Sequence, residues 1–138
     1  MPDPRYRPGH RRKPKIALAL DSAAGVLVGI LLTILASAGV SLFIPPGAER
    51  FSALVISTMI AWPIGGGLGV WLSMGPPLKT RVLGWALAAS ILASAVLALP
   101  IWLAPESVPV RVLGIVAVGL LGPCFTRLVA NRARQRSD

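Results

Sequence analysis

Four long apolar stretches dominate the chain, each bounded by a short turn rich in proline, glycine or charge. Uncharged runs of about eighteen residues or more are what a helix needs to cross a hydrocarbon layer roughly 30 Å thick. The pattern predicts helices over about 16–44, with Asp21 as an alternative start for the first, 51–74, 82–104 and 108–129. Pro45, Pro46 and Gly47 stop the first, Gly75, Pro76 and Pro77 the second, and Pro105 to Pro109 form the third connection. Proline withholds an amide and glycine admits turns, so these clusters end helices. Connections this short oblige consecutive helices to pack as antiparallel neighbours. The expected fold is an all-α integral membrane protein, an up-down-up-down bundle of four transmembrane helices with both termini on the inner side.

Composition agrees with lipid as the solvent, since 54% of the 138 residues are hydrophobic and only 14% charged. Charge then orients the chain. The N-terminal segment holds Arg5, Arg7, Arg11, Arg12, Lys13 and Lys15; the middle loop holds Lys79 and Arg81; the C-terminal segment holds Arg127, Arg132, Arg134 and Arg136. The remaining two of the 14 basic residues, Arg50 and Arg111, lie in the other loops beside Glu49 and Glu106. Cytoplasmic flanks retain Lys and Arg during insertion, so both ends and the middle loop belong in the cytoplasm. Residues 1–15 then form a disordered basic cytoplasmic tail, 16–130 the membrane domain and 131–138 a second basic tail. A bacterial cytoplasmic membrane is the expected location. Ala36, Ser37 and Ala38 imitate a signal-peptidase site, but the preceding apolar stretch exceeds the roughly 7–15 residues of a signal core, so uncleaved anchoring is expected.

Each basic residue near an anionic leaflet is worth about 1 kcal/mol of attraction. Arg11, Arg12, Lys13, Lys15, Arg132 and Arg134 are therefore the expected lipid contacts. The net charge of +9 would suit nucleic acid in a soluble protein. Basic flanks are what any inner-membrane protein carries, and nucleic acid ranks last among the partners. Tryptophans supply a separate register, because indole prefers the headgroup boundary. Trp71 and Trp85 fall near inner helix ends and Trp102 near an outer one, while Trp62 falls mid-helix. The stretch ILASA occurs at Ile34–Ala38 and again at Ile91–Ala95, and with nothing else aligned at that offset it reads as chance recurrence.

Membrane helices associate where small residues let backbones approach. Such residues recur every fourth position: Gly25, Gly29, Thr33 and Ser37 in the first helix; Ser57, Ala61, Gly65, Gly69 and Ser73 in the second; Ala86, Ser90, Ser94 and Ala98 in the third. Packing within one bundle accounts for them, and a self-association face is the alternative use. Trp62, Pro63, Gly65, Gly66 and Gly67 fall midway through the second helix. Pro63 frees the carbonyl of Met59, and each glycine costs about 1 kcal/mol of helix stability relative to alanine. A kink or break is expected there. A structural kink is the simpler outcome; a solute site with the hydroxyls of Ser57 and Thr58 is the sharper one.

Asp21 is the one acidic residue within an apolar run. Intramembrane carboxylates are functional candidates, but counting about twenty residues back from Pro45 puts Asp21 at the boundary. It is expected to cap the first helix, with an ion-pair contact to Lys15 or Arg81. Gly122 and Pro123 should bend the fourth helix, and Cys124 reads as a small hydrophobe. One cysteine and one histidine, His10, offer no metal cluster, and no cofactor is expected. Catalysis needs a positioned acid or base, and no His, Glu or Lys lies inside a helix. The chain carries no recognisable family motif. The leading expectation is a non-catalytic accessory or structural subunit that self-associates or packs against a larger membrane complex. The competing one is a homo-oligomeric channel or small-solute transporter with a path past the second helix.

Overall fold

The computed structural model describes residues 14–75 and 78–137. These form four helices: α1 Pro14–Phe43, α2 Ala48–Ser73, α3 Thr80–Leu103 and α4 Val108–Arg136. All four are long and apolar enough to cross a membrane, and the described residues contain no strand. The shortest has 24 residues, which at 1.5 Å per residue gives roughly 36 Å. That exceeds a hydrocarbon core of roughly 30 Å.

Two boundaries differ from expectation in ways that bear on function. The expected α4 ended at residue 129, but the helix continues to Arg136. Arginine, alanine and glutamine are good helix formers, and Ala130 is fully buried against Val82 and Ala86, with Trp71 and Met74 packed alongside. The segment expected to be a free tail is thus the last two turns of a packed helix. At the other end, α1 already includes Pro14, which a first helical turn tolerates.

α1 packs chiefly on α2 and α3 chiefly on α4, while α2 also meets α3 and α4, and α1 meets α4. Among the described residues α1 and α3 do not touch. Small residues make up much of the buried surface. Gly25 and Gly29 of α1, Ala61, Gly65, Gly66, Gly67 and Gly69 of α2, Ala86, Ala89, Ser90 and Ala93 of α3, and Gly122 and Ala130 of α4 are all buried. Large aliphatic side chains turn outward instead, among them Leu31, Leu42, Leu92 and Leu113. Dispersion between closely approaching backbones is what holds membrane helices together, since leucine gains nothing by leaving lipid for protein.

The glycine run of α2 sits at the centre of this packing, and α2 passes through it and through Pro63 as one uninterrupted helix. The expected break is absent. A β-carbon built on Gly65 would lie 2.7 Å from the Gly29 Cα, and one on Gly69 would lie 2.6 Å from the Ala24 carbonyl oxygen. One on Gly67 would lie 3.0 Å from the Leu87 Cα, and one on Gly66 3.1 Å from the Ser90 hydroxyl. Successive helical positions are about 100° apart, so three glycines in a row span about 200°, just over half of the circumference, at one level. That lets α1 and α3 approach α2 together. In lipid an open backbone amide has no water to turn to, so the helix holds despite the residues' low propensity in water.

Candidate functional site

The polar side chains gather at one end of the bundle, around the last turns of α2 and α4, the first turns of α3 and the early part of α1. Asp21 lies within α1, well past its first turn, and is buried with 6% side-chain exposure. The capping role expected for it is not what the structure holds. Its carboxylate accepts a hydrogen bond from Arg127 Nε of α4, an ion pair in which the guanidinium is itself 15% exposed. The expected partners Lys15 and Arg81 are not the ones used. A buried carboxylate needs a cation or a set of donors to offset its lost hydration, and the early start of α1 carries Asp21 inward to one. One residue on, Ser22 Oγ donates to Cys124 Sγ at 3.5 Å. A β-carbon on Gly25 would meet Val70 at 2.8 Å and Pro123 at 3.6 Å. Asp21, Ser22, Gly25 and Gly29 are the buried residues of α1 and share one helical face.

The junction of α2 with α3 is tied by two contacts. Trp71 Nε1 donates to the Lys79 carbonyl at 3.0 Å, and Lys79 Nζ donates to the carbonyl of Ser137 at 3.1 Å. Arg134 reaches across from α4 and donates to the Met74 carbonyl at 2.8 Å. It thereby satisfies a backbone acceptor at the C-terminus of α2, where the helix dipole favours a cation. Trp71 and Arg134 are thus fastenings of the bundle's end.

Three other arginines are arranged differently. Arg81 and Trp85 of α3, one turn apart, face Val129, Arg132, Ala133 and Arg136 of α4 across an open groove of about 210 Å³. Arg81, Arg132 and Arg136 have no hydrogen-bond or ion-pair partner among the described residues. Among the described residues no carboxylate lines the groove.

Of the residues expected to contact lipid, Arg11, Arg12 and Lys13 lie outside the described residues. Lys15 is exposed in the first turn of α1, Arg132 lines the groove and Arg134 is turned toward Met74. The residues expected at a solute site lie along α2. Thr58 and Met59 are exposed, and the hydroxyls of Ser57 and Thr58 each donate to the Leu54 carbonyl at 2.9 Å. Pro63, Gly65, Gly66 and Gly67 are buried in helix contacts, and the Trp62 ring lies where a β-carbon on Gly29 would be 3.2 Å away. Ser90 is buried beside Gly66 and Ser94 is half-buried. Gly122 and Pro123 are buried within an α4 that runs uninterrupted past them, and Thr126 Oγ1 donates to the Gly122 carbonyl at 2.9 Å.

Sequence reasoning used Arg81, Trp85, Arg127 and Arg136 to orient and register the helices, and Arg81 as a candidate partner of Asp21, but did not place them together in a groove or pair Arg127 with Asp21. The spacing Arg81–Trp85 and Arg132–Arg136 puts each pair on one helical face, a signal available once α4 is extended past Asn131. The Asp21–Arg127 pairing joins residues far apart in sequence. The signal for it is that a carboxylate inside an apolar run needs a partner, and Arg127 is the next cation after Arg111 along the last helix, at the end of its apolar run. Comparison with protein families, with curated proteins and with solved structures finds no match to this chain.

Proposed function

We propose that the chain is a non-catalytic integral membrane protein, an up-down-up-down bundle with both termini in the cytoplasm of a bacterial-type inner membrane. It serves as an accessory or structural subunit that associates with copies of itself or with a larger membrane complex. The observation that carries this reading is how little of α1 the other described residues cover. Only 6% of its most apolar window is buried, against 39% for α2. Leu27, Leu31, Ile34 and Leu35 of α1 all face outward. The interior, in contrast, is filled by direct backbone approach at Gly25, Gly29, Gly65, Gly67 and Gly69. What the bundle offers a partner is its outer face and its basic end.

The alternative reading, a homo-oligomeric channel or small-solute transporter with a path past α2, draws less support, because α2 continues as a helix through Pro63 and the glycine run. The orientation is supported by the distribution of basic residues and by the clustering of Asp21, Lys79, Arg127 and Arg134 contacts at one end. Extraction in mild detergent tests the assignment through the mass of the particle and the proteins recovered with it. The proposal expects an oligomer or a complex with a defined partner. A monodisperse monomer with no copurifying protein, or solute flux in proteoliposomes of the purified chain, contradicts it.

A further inference from the structure

We infer that the groove between the start of α3 and the end of α4 is a binding site for the phosphate of an anionic lipid, with a headgroup carrying at least two negative charges. The inference rests on the membrane reading above, with this end of the bundle at the cytoplasmic surface. Arg81, Arg132 and Arg136 converge on one cavity, and among the described residues no acidic side chain lines it and none of the three has a partner. Three guanidinium groups held on two helices repel one another. An anion between them relieves that repulsion and takes up paired N–H donors whose planar fork matches phosphate oxygens. The other nearby cations are already committed: Arg127 to Asp21, and Arg134 to the Met74 carbonyl. The groove thus gathers the arginines of this end that have no partner among the described residues.

Two features favour a lipid over a free phosphate. The groove has an apolar wall in Val129 and the half-exposed ring of Trp85, and indole settles at the headgroup boundary. Toward the membrane, Leu92 on the α3 side and Leu121 and Phe125 on the α4 side are exposed, giving acyl chains a hydrophobic crease beneath the phosphate. Basic recesses between transmembrane helices on the cytoplasmic side are a recurring mode of binding multiply charged lipids.

The test uses the full chain in neutral detergent, titrated with cardiolipin and followed by native mass spectrometry and by the thermal midpoint. Wild type is expected to retain a saturable lipid. Replacing the three arginines together (Arg81→Gln, Arg132→Gln, Arg136→Gln) should weaken binding about a hundredfold, about fivefold for each. A charge-matched variant with Lys15→Gln, Arg50→Gln and Arg111→Gln, described residues that do not line the groove, should bind as wild type does. Val129→Trp keeps every charge and fills the groove, so it too should lose the saturable lipid; helicity by circular dichroism establishes that each variant is folded. Equal losses in the groove and charge-matched variants overturn the proposal, as does undiminished binding by Val129→Trp. Inorganic pyrophosphate binding as tightly as cardiolipin overturns the lipid assignment. Failure of the membrane reading registers separately, as a chain recovered from membranes without detergent.

Discussion

Two kinds of glycine occur in this bundle, and replacing each by alanine should shift stability in opposite directions. At Gly69 a β-carbon would lie 2.6 Å from the Ala24 carbonyl oxygen, 2.9 Å from the Gly25 Cα and 2.9 Å from the Val28 Cβ. Backbone atoms of α1 make two of those contacts, so no side-chain rotation relieves them and the helices must separate by several tenths of an ångström. Overpacking of this kind costs about 1–3 kcal/mol, a factor of about 5 to 150 in the folding equilibrium. At Gly119 and Gly84 nothing lies within 4 Å, so alanine meets no clash and gains about 0.5–1 kcal/mol of backbone entropy. The assay is reversible unfolding in mixed micelles of mild detergent and dodecyl sulfate. Fluorescence is the probe in a chain whose other three tryptophans are replaced by phenylalanine, because the remaining Trp62 ring sits on Gly29 at the α1–α2 contact. Gly69→Ala should unfold at lower dodecyl sulfate than wild type, and Gly119→Ala at the same or higher. If both variants unfold with wild type, α1 and α2 are not in backbone contact and the packing argument fails.

Further outcomes follow from the polar end. Asp21→Ala should cost about 3 kcal/mol in the same assay, because it leaves the Arg127 guanidinium without its carboxylate. The double variant with Arg127→Met should recover most of that, whereas equal loss in single and double variants would show that the two side chains do not interact. In the otherwise native chain, Trp71→Phe removes the indole donor to the Lys79 carbonyl and should lower stability by about 1 kcal/mol, with no effect if that contact is not formed in solution. Arg50→Ala removes an exposed contact to the Ser41 carbonyl and should change stability by less than about 1 kcal/mol. A larger loss there would mean that the α1–α2 turn depends on that contact.

The helices were readable because lipid demands long apolar runs and turns demand breakers, both of which are local in sequence. Their contents were less so. The glycine run at Gly65 to Gly67 reads as a weak point by propensity, yet its purpose is set by α1 and α3, which no local pattern brings to that level. Asp21 was placed by counting back from Pro45, which puts it at a boundary. The helix in fact begins near Pro14 and delivers the carboxylate to Arg127, a partner from the other end of the chain. Residues 131–136 resemble a solvated tail by charge alone. Their helix is held by Ala130 packing on Val82 and Ala86 and by Arg134 reaching Met74, both long-range contacts.

Thiol labelling across sealed vesicles tests the transmembrane arrangement most directly. In a chain with Cys124→Ala, single cysteines replace Gly47, Leu78, Glu106 and Gln135 in turn, and a membrane-impermeant maleimide is applied from each side. Residues 78 and 135 should react only from the cytoplasmic face, and residues 47 and 106 only from the opposite one. Reaction of residues 47 and 78 from the same side would mean that α2 does not cross, and the four-span bundle would be wrong.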